Sequence, residues 1–169
     1  MKQEKTYSAE LMKVGTDNEN IILEWLKTEA RSVIDFRDFR LAQRIDVDFG
    51  IETIDGVIVL AEIKSDKHIK DAGNLCFECN RINHSGHYFY LGWGWRSPAQ
   101  KLIVRNPISG DTYVFTLAQL RAVIANYIGE MGKNLNILIV ETDKTKTTFN
   151  YLIPMGKLAN FYSKYHIAP

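Results

Sequence analysis

The chain has two cysteines and four prolines among its 169 residues, and no apolar run approaches the about 20 residues that a membrane helix needs. Two cysteines build no disulfide framework in a chain of this length, so a reducing cytoplasm is the expected setting and no membrane is involved. The first residues, Met1-Lys2-Gln3-Glu4-Lys5, lead into no apolar signal core, and secretion is not expected. No Pro-rich linker, low-complexity tract or internal repeat divides the chain, which reads as a single domain over residues 1–169. A strong charge of either sign is also missing. With 21 Lys and Arg against 20 Asp and Glu, the formal net charge is +1, so any contact with nucleic acid has to come from a local basic patch.

What is present is an ordinary globular composition, 46% hydrophobic and 24% charged, which excludes a disordered chain, a collagen-like repeat and a coiled coil. Gly15-Thr16-Asp17-Asn18-Glu19 reads as a helix start, and Ile21, Ile22, Trp25, Leu26 and Ala30 recur at helical spacing, predicting an amphipathic helix over 17–30. Val33, Ile34 and Phe36 suggest a short strand. Ile45, Val47, Phe49 and Ile51 alternate with Arg44, Asp46, Asp48 and Gly50, the pattern of a strand with an acidic face. Asp55-Gly56 closes a hairpin, and 57–63 is its return strand, apolar enough to be buried on both faces. Further strands are predicted at 75–80, 87–93, 101–105, 112–116, 135–142 and 147–153, with a helix over 117–128 and a short one near 156–165. The fold class is α/β, a mixed central sheet flanked by helices.

The chemistry concentrates in Arg44-Ile45-Asp46-Val47-Asp48-Phe49 and, after the hairpin, Ala61-Glu62-Ile63-Lys64-Ser65-Asp66. Residues two apart on a strand share a face, so Glu62 and Lys64 project together while Ile63 goes to the opposite side. Whether Asp48 joins them depends on register. A two-residue loop of Asp55 and Gly56 sets Phe49 opposite Glu62 and leaves Asp48 on the wrong face. A three-residue loop of Ile54, Asp55 and Gly56, with Gly56 left-handed, pairs Thr53 with Val57 and therefore Asp48 with Glu62, and Asp46 then faces Lys64. Directly opposed residues have Cβ atoms about 4.5–5.5 Å apart, close enough for two carboxylates to hold one hard cation. The bland alternative is that Asp48, Glu62 and Lys64 form cross-strand ion pairs on a solvated sheet face, each worth only about 0.2–1 kcal/mol.

An acidic residue on one strand of a hairpin and Glu-x-Lys on the next, after a helix carrying Glu19, resembles the core of the PD-(D/E)xK nuclease superfamily over about 19–81. The resemblance implies a restriction-endonuclease-like core, with Asp48 and Glu62 binding Mg²⁺, for which Mn²⁺ could substitute, and Lys64 positioning or activating the attacking water. It also implies that Glu19 completes the site from the helix. The continuation from Lys64-Ser65-Asp66 through Gly73-Asn74-Leu75-Cys76-Phe77-Glu78 is similar to resolvase-like and phage branches, where Glu78 falls on the following strand near the metal. Val47 stands where the name-giving proline would be, and Asp46 competes with Asp48 for the metal. The function so implied is a metal-dependent DNA endonuclease, with Holliday junctions among its substrates. Its alternative is a catalytically silent domain of the same fold that binds nucleic acid or a protein partner. Symmetric cutting of two strands favours a two-fold homodimer.

Two further patterns stand in the sequence. Cys76-x-x-Cys79 and His84-x-x-His87 have ligand-like spacing, but only four residues separate the pairs and a strand would turn the two cysteines to opposite faces, so zinc is not expected. Between Lys64 and Arg105 seven basic residues face three acidic ones, interleaved with Tyr88, Tyr90, Trp93 and Trp95. Such a segment suits a phosphate-tracking surface, with Lys67, Lys70, Arg81 and Arg96 as the DNA contacts. Gly92-Trp93-Gly94-Trp95-Arg96 lacks the setting of a phosphate loop.

Overall fold

A computed structural model of the chain describes residues 4–83, 88–143 and 146–168. They form a mixed α/β fold built on two sheets. The larger has six strands in the order β1-β2-β3-β6-β7-β10, comprising β1 (Ser32–Asp35), β2 (Phe49–Glu52), β3 (Ile58–Ser65), β6 (Lys101–Arg105), β7 (Asp111–Thr116) and β10 (Tyr162–His166). The smaller has the order β5-β4-β9-β8, from β5 (Tyr88–Leu91), β4 (Asn74–Asn83), β9 (Lys146–Pro154) and β8 (Ile137–Asp143). The helices are α1 (Glu4–Glu29), α2 (Arg40–Arg44), α3 (Trp93–Arg96) and α4 (Leu117–Met131).

Strands β3 and β6 are the parallel pair of the large sheet, and every other pairing in it is antiparallel. Parallel neighbours need a crossover of a dozen or more residues. Here the crossover is the β4–β5 hairpin followed by α3, which carries the chain into the second sheet and returns it beside β3. Both central strands are buried at Ala61 to Ile63 and at Leu102 to Arg105, but the return strand expected to be buried throughout starts exposed, at Val57 and Ile58. Ala61, Ile63 and Ile103 pack with Phe49 and with Ile22 and Leu26 of α1, while Leu102 and Val104 face a second core with Phe77, Trp93, Leu120 and Ile124. Arg105 ends β6 at 1% exposure, its guanidinium donating to Asn18 Oδ1 and the Ile167 carbonyl, both at 2.8 Å. It is a strut between α1 and the C-terminal strand and is not part of a basic surface.

Several local expectations change. The first helix runs from Glu4 through the expected start at Gly15-Thr16-Asp17, because one glycine costs a helix only about 1 kcal/mol and no proline precedes Pro98. The acidic strand begins at Phe49, not Ile45, since Arg40–Arg44 form the short α2 and Asp46 takes a left-handed backbone at φ 56°. The helix expected near 156–165 is a single 3-10 turn at Met155–Leu158 followed by β10, whose residues pair with β7 from Tyr162–Phe115 to His166–Asp111. Long-range pairing overrides local periodicity there. The single central sheet expected is in fact two.

Candidate active site

The β2–β3 hairpin closes with a three-residue loop. Thr53 N–H donates to the Val57 carbonyl at 2.9 Å, Gly56 sits at φ 77°, and the ladder pairs Phe49 with Ala61 and Glu52 with Ile58. One step beyond the strand, this register sets Asp48 opposite Glu62. Asp48 N–H donates to the Ala61 carbonyl at 2.9 Å, and Asp48 Oδ2 accepts from the Ile63 N–H at 2.7 Å. The register does not continue to Asp46. The left-handed turn takes that residue out of line, and its carboxylate receives Arg96 Nε and Nη2 at 2.8 and 2.5 Å. Its carbonyl accepts from Ser97 Oγ at 2.6 Å, so Asp46 fastens α3 to the hairpin and does not lie across from Lys64.

Glu62 is 2% exposed. Its Oε1 pairs with Lys64 Nζ, and its Oε2 is buried with no hydrogen-bond partner. Burial pushes the Glu62 carboxyl up to about 7, Asp48 and Asp46 push the same way, and Lys64 opposes them. Burial likewise raises Asp48, against the Ile63 N–H, the Lys64 charge, the neighbouring Glu62 carboxyl and the Arg37 charge. Lys64 is pulled down by burial, but Glu62, Asp48 and Asp46 outweigh that and hold its ammonium charged. Its Nζ lies 5.4 Å from the centre of the Trp93 ring.

Glu19 enters from α1. Burial and the Asp48 charge raise its carboxyl, and Arg37 Nη1 stands 3.6 Å from Oε2. Arg37 is itself fixed by Asp35, at 2.7 Å from Nη2 to Oδ2, and by Asn20 Oδ1 at 2.8 Å. Nothing local in the sequence marks Arg37, because its approach to Glu19 exists only once α1 lies beside β1. Glu78 stands on β4 in the second sheet, with Arg81 Nη2 at 3.1 Å and the Trp93 N–H at 3.4 Å. Trp93 therefore links it to Lys64 without bringing the carboxylates together. Lys67 and Lys70 are exposed on the loop after β3, whereas Arg81 and Arg96 are engaged by Glu78 and Asp46. Trp93 and Trp95 pack on Phe77, with ring centres 5.3 and 5.1 Å away, which leaves Tyr88, Phe89 and Tyr90 as the exposed rings of that segment. Cys79 donates to the Phe149 carbonyl at a bulge of β4, and His84 and His87 lie outside the described residues.

Among the described residues no group of three or more His, Cys, Asp or Glu side chains is poised to hold a metal ion. The pair Asp48 and Glu62 nonetheless suits Mg²⁺, which takes one or two carboxylates and fills its other positions with water and phosphate oxygens. Glu62 Oε2 is buried without a hydrogen-bond partner, and the Asp48 carboxylate lies close enough to raise Glu62 electrostatically. Comparison with known proteins finds no matching family model, no matching curated protein and no matching solved structure. No helix among the described residues is long and apolar enough to cross a membrane.

Proposed function

We propose that the chain is a Mg²⁺-dependent endonuclease acting on DNA, Mn²⁺ serving as a substitute. The observation that supports it is the combination on one face of Asp48, Glu62 with its unpartnered Oε2, and Lys64. Asp48 and Glu62 would hold the cation, with Asp46 close enough to act on both Glu62 and Lys64 but committed to Arg96. When bound, the cation supplies positive charge to the phosphate and acidifies water. The Lys64 side chain is one-third exposed, so its ammonium is able to donate to a phosphate oxygen or to orient the attacking water while Glu62 fixes its position. Glu19 adds a carboxylate of raised pKa as a proton acceptor near Asp48. Lys67 and Lys70 supply exposed cations for the backbone of the same strand.

The test is cleavage of linear and four-way-junction DNA in Mg²⁺, Mn²⁺ or chelator. Wild type is expected to cut in either metal and not in chelator, with Lys64→Ala slower by about 100-fold to 10,000-fold. A folded wild type that cuts neither DNA overturns the proposal in favour of a silent domain of the same architecture.

A further inference from the structure

Lys64 belongs to two places at once. On one side it pairs with Glu62; on the other it lines a half-open cavity of about 540 Å³ to which strands of both sheets contribute. That volume is the size of a small-ligand pocket and too small for a duplex, whose bases stay stacked and paired. Trp93 stands beside Lys64 at the cavity wall, and Val104, Leu138 and Leu152 give it an apolar floor. Two carboxamides, Asn74 and Asn150, face the same space. Asn150 is 6% exposed, and its Nδ2 makes only long bonds, 3.4 Å to the Leu138 carbonyl and 3.3 Å to Thr148 Oγ1, leaving its amide weakly committed. Lys70 adds a cation at the rim, with His68 and the Asp66 carboxylate also lining the cavity. Apolar walls, an aromatic ring and a few amides are what hold a base out of its stack, and the cations beside them suit its phosphate.

We infer that the cavity receives one unpaired nucleotide of the substrate, its phosphate lying at Lys64, so that the enzyme cuts DNA that is single-stranded or carries an unpaired base at the cut. This rests on the nuclease function proposed above and specifies its substrate.

The experiment compares a strand as single-stranded DNA, as full duplex, and as duplex with one bulged nucleotide, in Mg²⁺. The variant Leu138→Trp fills the cavity from an exposed edge strand, and Ile139→Trp adds the same bulk on the opposite face of that strand. Wild type and Ile139→Trp are expected to cut the unpaired substrates faster than duplex by about tenfold or more, the effect of one stacked base, and Leu138→Trp is expected to bring that ratio close to one. Equal cutting of duplex and single strand by wild type, or an unchanged ratio in Leu138→Trp, overturns the inference. If wild type cuts nothing, the nuclease function fails, and anisotropy with fluorescent oligothymidylate decides the cavity alone. Binding weakened in Leu138→Trp but not in Ile139→Trp supports it; equal binding by all three, or none, overturns it.

Discussion

Glu62 carries a large electrostatic cost in the site. Its carboxyl is raised from an ordinary value of 4.5 to about 7, so the folded chain holds that proton more tightly than the unfolded chain. Its contribution to stability is therefore fully present below about pH 4.5 and is lost as the pH rises through about 7. Glutamine at this position stays neutral throughout. In chelator at about pH 8, Glu62→Gln is expected to be more stable than wild type by about 1–3 kcal/mol, with the difference vanishing near pH 4. Thermal melts at the two pH values check this, and a pH-independent difference would show that the carboxylate is not strained. Mg²⁺ should erase the wild-type deficit at the higher pH, since a bound cation favours the ionised pair.

At the scale of elements, the site depends on one turn. Gly56 at φ 77° makes the three-residue loop that sets Asp48 across from Glu62. An added Cβ there meets nothing closer than Arg31 Nη1 at 3.8 Å, so the cost of Gly56→Ala is conformational, about 1–2 kcal/mol, and should appear as a modest fall in Tm with the fold retained. Gly94→Ala differs in kind. Its Cβ would lie 2.4 Å from the Phe77 ring and 2.7 Å from the Glu78 carbonyl, so α3 must move, and a loss of about 1–3 kcal/mol with a changed tryptophan fluorescence is expected. The hairpin was legible in the sequence because Asp55-Gly56 and the alternation around it are local, although two loop lengths fitted and only the ladder decides between them. Strand 101–105 was legible in full for the same local reason. Strand β10 was not, because Tyr162–His166 has helical spacing of its own and becomes a strand only beside β7. Nor was the second sheet, whose pairing of β4 with β9 joins residues some seventy positions apart. Of the candidate site, Asp48, Glu62, Lys64 and Glu19 share an electrostatic neighbourhood, while Glu78 goes to the other sheet and Asp46 to Arg96.

The whole molecule leaves apolar edges. Strand β5 exposes Tyr88, Phe89, Tyr90 and Leu91, and β8 exposes Ile137 through Val140, with 58% of Ile139 open to water. Edges of this kind pair with other chains unless a charge blocks them. Ile139→Lys is expected to lower concentration-dependent light scattering without moving Tm by more than about 0.5 kcal/mol in equivalent stability; unchanged scattering would place the association elsewhere. The central claim is that Asp48 and Glu62 together form a cation site, and titration calorimetry with Mn²⁺ tests it most directly. The account predicts saturable binding by wild type, lost in Asp48→Asn and in Glu62→Gln while both variants stay folded. Absence of binding in wild type, or binding that survives both substitutions, would contradict it.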